Sequence, residues 1–259
     1  MVICTLGDLV LDVILRVEEP LVPGDDRPAA TRIGAGGQAA NVAAWVGALG
    51  GPARFVGKRG ADGAGQLVDS ELRAHGVDVC GPLEGRTGVV VSIATTGERT
   101  MASDRGSAPD LREDELDPSW FECDVLHISG YSFHREPLRG AALAAGELAR
   151  ARGARVSVDL ATWTDIDDAF RAGVRALAPD LLFAGERERE VFGDLDASWI
   201  VKRGASGVVV DGVEHAALPT DVLDTTGAGD AFAAGYLVGG VALGLEAASH
   251  CCARMGAMP

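Results

Sequence analysis

One stretch of the sequence carries the strongest signal for the fold: Asp224-Thr225-Thr226-Gly227-Ala228-Gly229-Asp230-Ala231-Phe232. Gly227 and Gly229 permit positive φ angles and a close approach of the backbone, so consecutive N–H groups can converge at the start of the helix that follows. A helix N-terminus carries about half a positive charge, and each favourable contact with it contributes on the order of 0.3–1 kcal/mol. The stretch therefore predicts an anion hole formed by Gly227, Ala228 and Gly229.

Asp230 stands where this helix begins. A carboxylate beside an anion site can accept the proton of an attacking hydroxyl while a phosphoryl group is transferred. The alternative is that Asp230 is simply the N-cap of the helix, which is a common use of Asp. On this stretch alone, both interpretations remain open.

Composition limits the classes of partner. The chain has 259 residues, which fits one large α/β domain or two small ones. Its 23 basic against 38 acidic residues give it a net charge of −15. Such a surface repels a phosphate backbone, so we expect no nucleic-acid partner. No apolar run approaches the roughly 18 residues of a membrane span, and the N-terminus lacks the pattern of a secretory signal, so we expect a cytoplasmic protein with no membrane partner. Backbone dipoles can still bind a small anion locally.

Strand patterns and helix-compatible segments alternate along most of the chain, which predicts a mainly parallel sheet flanked by helices. The segment 87–95 differs, because Val89, Val91 and Ile93 alternate with other positions and a turn at 96–98 leads into a returning strand. This pattern predicts an antiparallel hairpin. Before Gly34, the prolines and Gly24 predict a loop. In the last third we expect strands at 200–202, 208–210 and 216–218, then a helix over 231–238.

The nine-residue stretch around Gly227 is similar to the second signature of the ribokinase-like sugar kinases, the PfkB family. Much earlier, Gly36-Gly37-Gln38-Ala39-Ala40-Asn41-Val42-Ala43 resembles the first signature of that family, paired glycines followed by an Asn on the next helix. The resemblance covers nearly the whole chain. It implies a single ribokinase-like α/β domain over 1–259, with a Rossmann-like sheet between helices on both faces and a small antiparallel β lid from about 9–35 and 86–104.

The resemblance also implies an activity: ATP-dependent phosphorylation, with Mg²⁺, of a primary hydroxyl on a sugar or sugar-like substrate of the ribose, fructose, keto-deoxy sugar or nucleoside class. Asp230 would be the catalytic base beside the anion hole. Residue by residue, the nucleotide would contact Lys202, Gly204, Gly207 and Thr225, and the substrate would contact Asp12, Gly36, Gly37 and Asn41. A carboxylate and an amide suit a polyol. The alternatives are that Asn41 satisfies a helix terminus and that Asp12 is a turn residue at a strand end.

The sequence departs from the family pattern after one strand, where members carry Asn-x-x-Glu to hold water around magnesium. Here Gly185 stands in the Asn position, and only Glu188 remains. Losing one indirect hydrogen bond costs about 1 kcal/mol, which predicts slower catalysis or altered handling of the metal rather than loss of activity. Glu188 could equally be a solvated charge in the run 186–190. Short segments around 192–200 and after Asp230 put nucleotide affinity in question.

Three other hypotheses accompany this one. Gly34-x-Gly36-x-x-Ala39 before a helix fits the loose fingerprint of a dinucleotide-binding oxidoreductase, but those glycines do not follow the first strand directly. A sugar or nucleotide binder that has lost turnover is the second, and sugar-dependent consumption of ATP separates it from a kinase. The third concerns assembly: the alternating apolar residues of the hairpin leave a face that a second lid could cover, and the hypothesis is a homodimer joined through the lid.

Overall fold

The computed structural model describes residues 1–95 and 98–259. Short apolar strands and helices alternate along it as the sequence predicts. The predicted turn between the lid strands lies at 96–98, so most of it falls outside the described residues. The elements, in chain order, are β1 (Ile3–Leu6), β2 (Val10–Val17), β3 (Ala29–Gly36), α1 (Gln38–Ala48), β4 (Ala53–Val56), α2 (Gly63–Ala74), β5 (Val77–Cys80), β6 (Thr87–Thr95), β7 (Glu98–Gly106), β8 (Val125–Ser129), α3 (Leu138–Arg150), β9 (Arg155–Asp159), α4 (Asp168–Leu177), β10 (Leu181–Gly185), α5 (Glu186–Phe192), β11 (Ser198–Lys202), β12 (Val208–Val210), β13 (Val213–His215), α6 (Ala228–Gly239) and α7 (Val241–Cys252).

The larger sheet runs in the order β13-β12-β11-β10-β9-β8-β1-β4-β5. Every pairing from β11 to β5 is parallel, and only β12 and β13 add antiparallel strands at one edge. The first four residues of β10 are all buried, which is the continuous apolar pattern of a strand covered on both faces. The chain therefore has the mainly parallel sheet that the sequence predicts.

The two faces of this sheet carry separate hydrophobic cores. Phe183 and Ile200 pack with residues of α1 and α6 on one face. Leu182 and Val158 pack with residues of α3 and α4 on the other. Helices thus cover both faces, and the predicted fold class is confirmed.

A smaller sheet, which we call the lid, has the order β3-β2-β6-β7. Each of its hairpins, β2–β3 and β6–β7, is antiparallel, and the hairpins join through a parallel pairing that sets Leu11 beside Val89. The lid strands cover 10–17, 29–36, 87–95 and 98–106. The start of β3 falls in the predicted loop. The first five residues of β3 are exposed, so the sequence there shows no apolar alternation. Backbone pairing with β2 is what makes this segment a strand.

Two other boundaries differ from the sequence prediction. The strand expected at 216–218 lies instead at β13, because Asp211 and Gly212 both have left-handed φ angles, 47° and 85°, and reverse the chain in two residues. The helix expected from residue 231 begins at Ala228, after Gly227 in the left-handed conformation. Asp230 is therefore inside the first turn, and the N-cap position is held by Gly227. None of the helices in the described ranges combines the length and hydropathy of a membrane span.

Candidate active site

The candidate site lies at the carboxyl ends of the parallel strands, where ligands bind in open α/β sheets. Asp8 follows β1, Asp159 ends β9 and Lys202 ends β11. The N-terminus of α6 meets this edge, since a Cβ on Gly229 of α6 would stand 3.1 Å from the Nζ of Lys202. The fold therefore brings charged side chains and a helix N-terminus to one place.

The turn before α6 requires the backbone conformation that glycine adopts at Gly227. Its φ is 78°, and a Cβ there would stand 2.5 Å from the Cβ of Ala257. Asp224 holds the turn by accepting hydrogen bonds from the backbone N–H and the hydroxyl of Thr226, at 2.9 and 2.6 Å, and from the N–H of Gly256 at 3.0 Å. The turn is thus fixed from both sides.

The anion hole differs in one respect from its prediction. The N–H of Ala228 donates to the carbonyl of Thr225 at 3.3 Å. The N–H groups of Gly227 and Gly229 have no acceptor within 1–95 and 98–259. Two of the three predicted donors are therefore available to an anion at the helix N-terminus.

Asp230 is the carboxylate in the first turn of α6. The side-chain amide of Asn41 donates to its Oδ2 at 2.7 Å. Burial raises the pKa of Asp230 to about 7, and the negative charges of Asp159 and Asp8 act in the same direction, whereas the Asn41 hydrogen bond and the charge of Lys202 lower it. A carboxylate whose pKa lies near neutrality is suited to accept a proton at physiological pH.

Lys202 adds a fixed positive charge. Its Nζ lies 2.5 Å from Oδ2 of Asp159, whose side chain is 2% exposed. Burial lowers the pKa of Lys202, but the ion pair with Asp159 outweighs it and leaves the pKa above its ordinary value. A Cβ on Gly229 would stand 3.1 Å from this Nζ, so the ammonium group lies against the turn that forms the anion hole.

A cavity of about 570 Å³ opens beside that turn. It is lined by all four residues predicted to contact nucleotide: Lys202, Gly204, Gly207 and Thr225. Its remaining wall is largely apolar and includes Val208, Leu218 and Phe232. Sequence reasoning does not identify this wall, because apolar residues at these positions look like ordinary core or surface.

The predicted substrate residues lie on the other side of Asp230. The Asp12 carboxylate covers Gly36, where a Cβ would stand 2.1 Å from its Oδ2. Gly37, the N-cap of α1, has a φ of 105°, and a Cβ there would stand 2.3 Å from the carbonyl oxygen of Asp8. Asn41 is 6% exposed, and its Oδ1 has no hydrogen-bond partner in the described structure. A buried, unpartnered acceptor beside a carboxylate is suited to receive a hydroxyl group.

Sequence reasoning missed three residues on this side. Arg105 of β7 forms an ion pair with Asp8, and its guanidinium stacks over the Tyr131 ring, 3.7 Å from the ring centroid. These three residues line a cavity of about 860 Å³ between the lid and the sheet. The three come from distant parts of the chain, and no local pattern connects them.

Gly185 and Glu188 form the remaining predicted feature. A Cβ on Gly185 would stand 2.3 Å from Oε2 of Glu188, so the carboxylate of Glu188 folds over the glycine backbone. No group of three or more potential metal-ligating side chains occurs among the residues described. This donor set fits a metal that is bound mainly by phosphate and water, with Glu188 as a carboxylate near it.

Comparisons with known proteins identify relatives of this chain. The family model "pfkB family carbohydrate kinase" matches residues 2–257. A fructokinase from Escherichia coli is 32% identical, covering 93% of this chain and 85% of its own. An ATP-dependent ribose-1-phosphate kinase from Halopiger xanaduensis is 31% identical, covering 96% and 90%.

A solved structure supports the same relationship. The adenosine kinase from Sinorhizobium meliloti superposes with a TM-score of 0.87 at 26% identity, covering 99% of this chain and 95% of its own. The ribokinase-like resemblance seen in the two sequence signatures is thereby confirmed. This chain belongs to the pfkB family of carbohydrate kinases.

Proposed function

We propose that this protein transfers the γ-phosphate of ATP to a primary hydroxyl of a sugar or sugar-like substrate, with Asp230 as the catalytic base. One observation carries the assignment of the base. The carboxylate of Asp230 has a pKa of about 7 and lies in the first turn of α6, directly after two glycines whose N–H groups have no acceptor among the described residues. Base and anion hole are therefore adjacent.

The chemistry follows from these positions. Asp230 accepts the proton of the attacking substrate hydroxyl. The hydroxyl oxygen forms a bond to the γ-phosphorus while the bond from that phosphorus to the leaving oxygen of ADP breaks. The N–H groups of Gly227 and Gly229 and the ammonium of Lys202 receive the charge of the transferred group. Asn41 holds the Asp230 carboxylate in place through its 2.7 Å hydrogen bond.

The substrate would lie between Asp12 and Asn41, with its backbone-facing side against Gly36 and Gly37. Support comes from the buried Oδ1 of Asn41, which has no partner in the described structure, and from the Asp12 carboxylate, which lies against Gly36. Relatives of this chain are named fructokinase, ribose-1-phosphate kinase and adenosine kinase. We therefore keep the ribose, fructose, keto-deoxy sugar and nucleoside classes as candidate acceptors.

Nucleotide would occupy the cavity lined by Lys202, Gly204, Gly207 and Thr225. We expect Mg²⁺ to enter with the phosphates of ATP, with Glu188 holding one of its waters. When bound, the metal would neutralise phosphate charge. The position of Glu188 supports this role. Its carboxylate is half-buried at the same strand ends as Lys202 and is close enough to raise the pKa of that lysine.

The proposal also covers domain organisation, location and assembly: a single domain over 1–259, a cytoplasmic location and a homodimer joined through the lid. Ile33 of β3 and Met101 of β7 support the dimer, since both large apolar side chains lie on the lid and are about half exposed, at 56% and 48%. Only monomer in a solution mass measurement would contradict the dimer.

The experiment is an ADP-release assay across the four acceptor classes, with and without Mg²⁺. We expect turnover with at least one class, dependent on both acceptor and Mg²⁺. Binding of a sugar or ATP by calorimetry without ADP release from any class would instead support a binder that has lost turnover.

A further inference from the structure

The pair formed by Asp159 and Lys202 crosses the end of a strand. In the sheet, β10 lies between β9 and β11, so the salt bridge from the end of β9 to the end of β11 passes over the last residues of β10. Phe183 of β10 is in register with Asp159, and Gly185 is in register with Lys202. The lysine side chain therefore reaches diagonally across the strand to meet its partner.

This bridge faces the anion hole. Phe183 and Ile200, two residues before Gly185 and Lys202 on their strands, pack in the core beneath α6, and alternate residues of a strand share a face. Lys202, Gly185 and Asp159 thus point to the side of the sheet where α6 begins. There the lysine Nζ comes within van der Waals distance of the Gly229 position.

Asp159 and Lys202 differ in burial and in the hydrogen-bonding capacity that the salt bridge leaves free. Asp159 is almost fully buried, and Lys202 is its ion-pair partner in the structure. A lysine ammonium has three N–H donors. Asp159 is the single acceptor found for Lys202 in the described parts of the chain, so two donors remain for an anion at the turn. A buried carboxylate paired with the lysine in this way acts as a clamp on the lysine side chain.

We propose, on the basis of the function proposed above, that Asp159 is a positioning residue: it fixes the Lys202 ammonium over the Gly227–Gly229 turn so that this charge meets the transferred phosphate. Asp159 itself does not contact substrate. The clamp prevents Lys202 from moving onto the Asp230 carboxylate, where it would neutralise the base. The same salt bridge therefore delivers a cation to the phosphate and keeps it away from the base.

Several other groups also act on Asp230. Besides Asp159 and Lys202, the carboxylate of Asp8 after β1 raises its pKa, and the Asn41 amide of α1 lowers it. Tyr131 and Cys251 of α7 also lie within electrostatic reach of Asp230. These four side chains stay in place as residues when only Asp159 or Lys202 is substituted. The effects of Asp159 and Lys202 on the pKa of Asp230 can then be told apart, because they have opposite signs.

The test uses the full chain with Asp159→Asn, Lys202→Met and the double variant, measured for kcat, KM and the pH dependence of kcat. We expect Asp159→Asn to lower kcat about 10–100-fold with the KM for sugar little changed, as for the loss of an orienting partner. Lys202→Met should lower kcat by about 10²–10³-fold. The acid limb of kcat should move to lower pH in Asp159→Asn and to higher pH in Lys202→Met.

The double variant separates positioning from a general structural role. If Asp159 acts only through Lys202, adding Asp159→Asn to Lys202→Met lowers kcat no further. Multiplied losses, or acid limbs that move in the same direction, would overturn the proposal. The double variant also removes both buried charges, so it remains informative if Asp159→Asn alone leaves Lys202 unpaired and fails to fold.

A matched control is the buried pair of Lys58 and Glu115, joined at 2.9 Å, neither of which is among the groups that chiefly shift the pKa of Asp230. Glu115→Gln should change stability without moving the acid limb. Failure of the proposed function is distinguishable, because it appears as a parent enzyme that releases no ADP. Calorimetric binding of ATP then still tests the clamp: equal affinities of the parent and Lys202→Met would refute it.

Discussion

Replacing Asp230 with Asn should remove activity and add stability at the same time. Asn keeps the size of the side chain and an oxygen that can accept the hydrogen bond from Asn41. It cannot take up a proton, so turnover should fall by about 10²–10⁴-fold, the usual effect of removing a general base. The parent should lose kcat/KM tenfold per pH unit below about pH 7, where Asp230 becomes protonated.

The effect on stability follows from the same raised pKa. Since the folded protein binds the proton of Asp230 more tightly than the unfolded chain does, the stability due to this group is fully present below about pH 4 and is lost as the pH rises to about 7. A pKa difference of about 3 units corresponds to about 4 kcal/mol, which is an upper limit for a partly exposed group. We expect Asp230→Asn to raise the free energy of unfolding by about 2 kcal/mol at pH 8 and by almost nothing at pH 4.

The assay is urea denaturation of parent and variant at both pH values, together with ADP release. Exposed Asp196 offers a control, because Asp196→Asn removes a carboxylate without touching the site. A variant that lost turnover but gained no stability at pH 8 relative to pH 4 would refute the raised pKa. One that kept near-parental turnover would refute the role of Asp230 as base.

Three further predictions concern the residues around Asp230. Gly227→Ala should destabilise the protein by at least about 1–3 kcal/mol and reduce turnover, because its φ is 78° and the new Cβ would clash with Ala257; denaturation that matched the parent would contradict this. Asn41→Leu removes a hydrogen bond that lowers the pKa of Asp230, so the acid limb of kcat/KM should move to higher pH; an unmoved limb argues against the contact. Gly185→Asn should fold within about 1 kcal/mol of the parent, because its Cβ displaces only the flexible end of Glu188, and it should lower the Mg²⁺ concentration for half-maximal rate. A Mg²⁺ titration that overlays the parent curve would count against a metal role for this position.

The parts of the fold that the sequence predicted are those in which residue type and local pattern suffice. The buried run of β10 and the glycines before α6 are examples, because an apolar strand and a left-handed turn each require particular residues in sequence. β3 was not predicted, since its exposed side chains carry no alternation and its pairing with β2 alone makes it a strand.

The candidate site divides in the same way. Asp230, Asn41 and the glycines could be named from two local signatures. Asp159 could not, because its contact with Lys202 depends on β9 and β11 standing on either side of β10, and strand order is not written in any single segment. Arg105 likewise reaches Asp8 only through the arrangement of the lid over the sheet.

The parallel pairing of β2 with β6 has a consequence for the order in which the molecule assembles. Leu11 and Val89 meet across a loop that contains α1, β4, α2 and β5, so closing it costs chain entropy that only prior folding of those elements can reduce. The lid should therefore be among the last parts to form and the first to open. The backbone amides of the lid would exchange with solvent by local opening while those of the nine-stranded sheet stay protected. The same local opening would admit substrate beneath the lid without unfolding the rest of the enzyme.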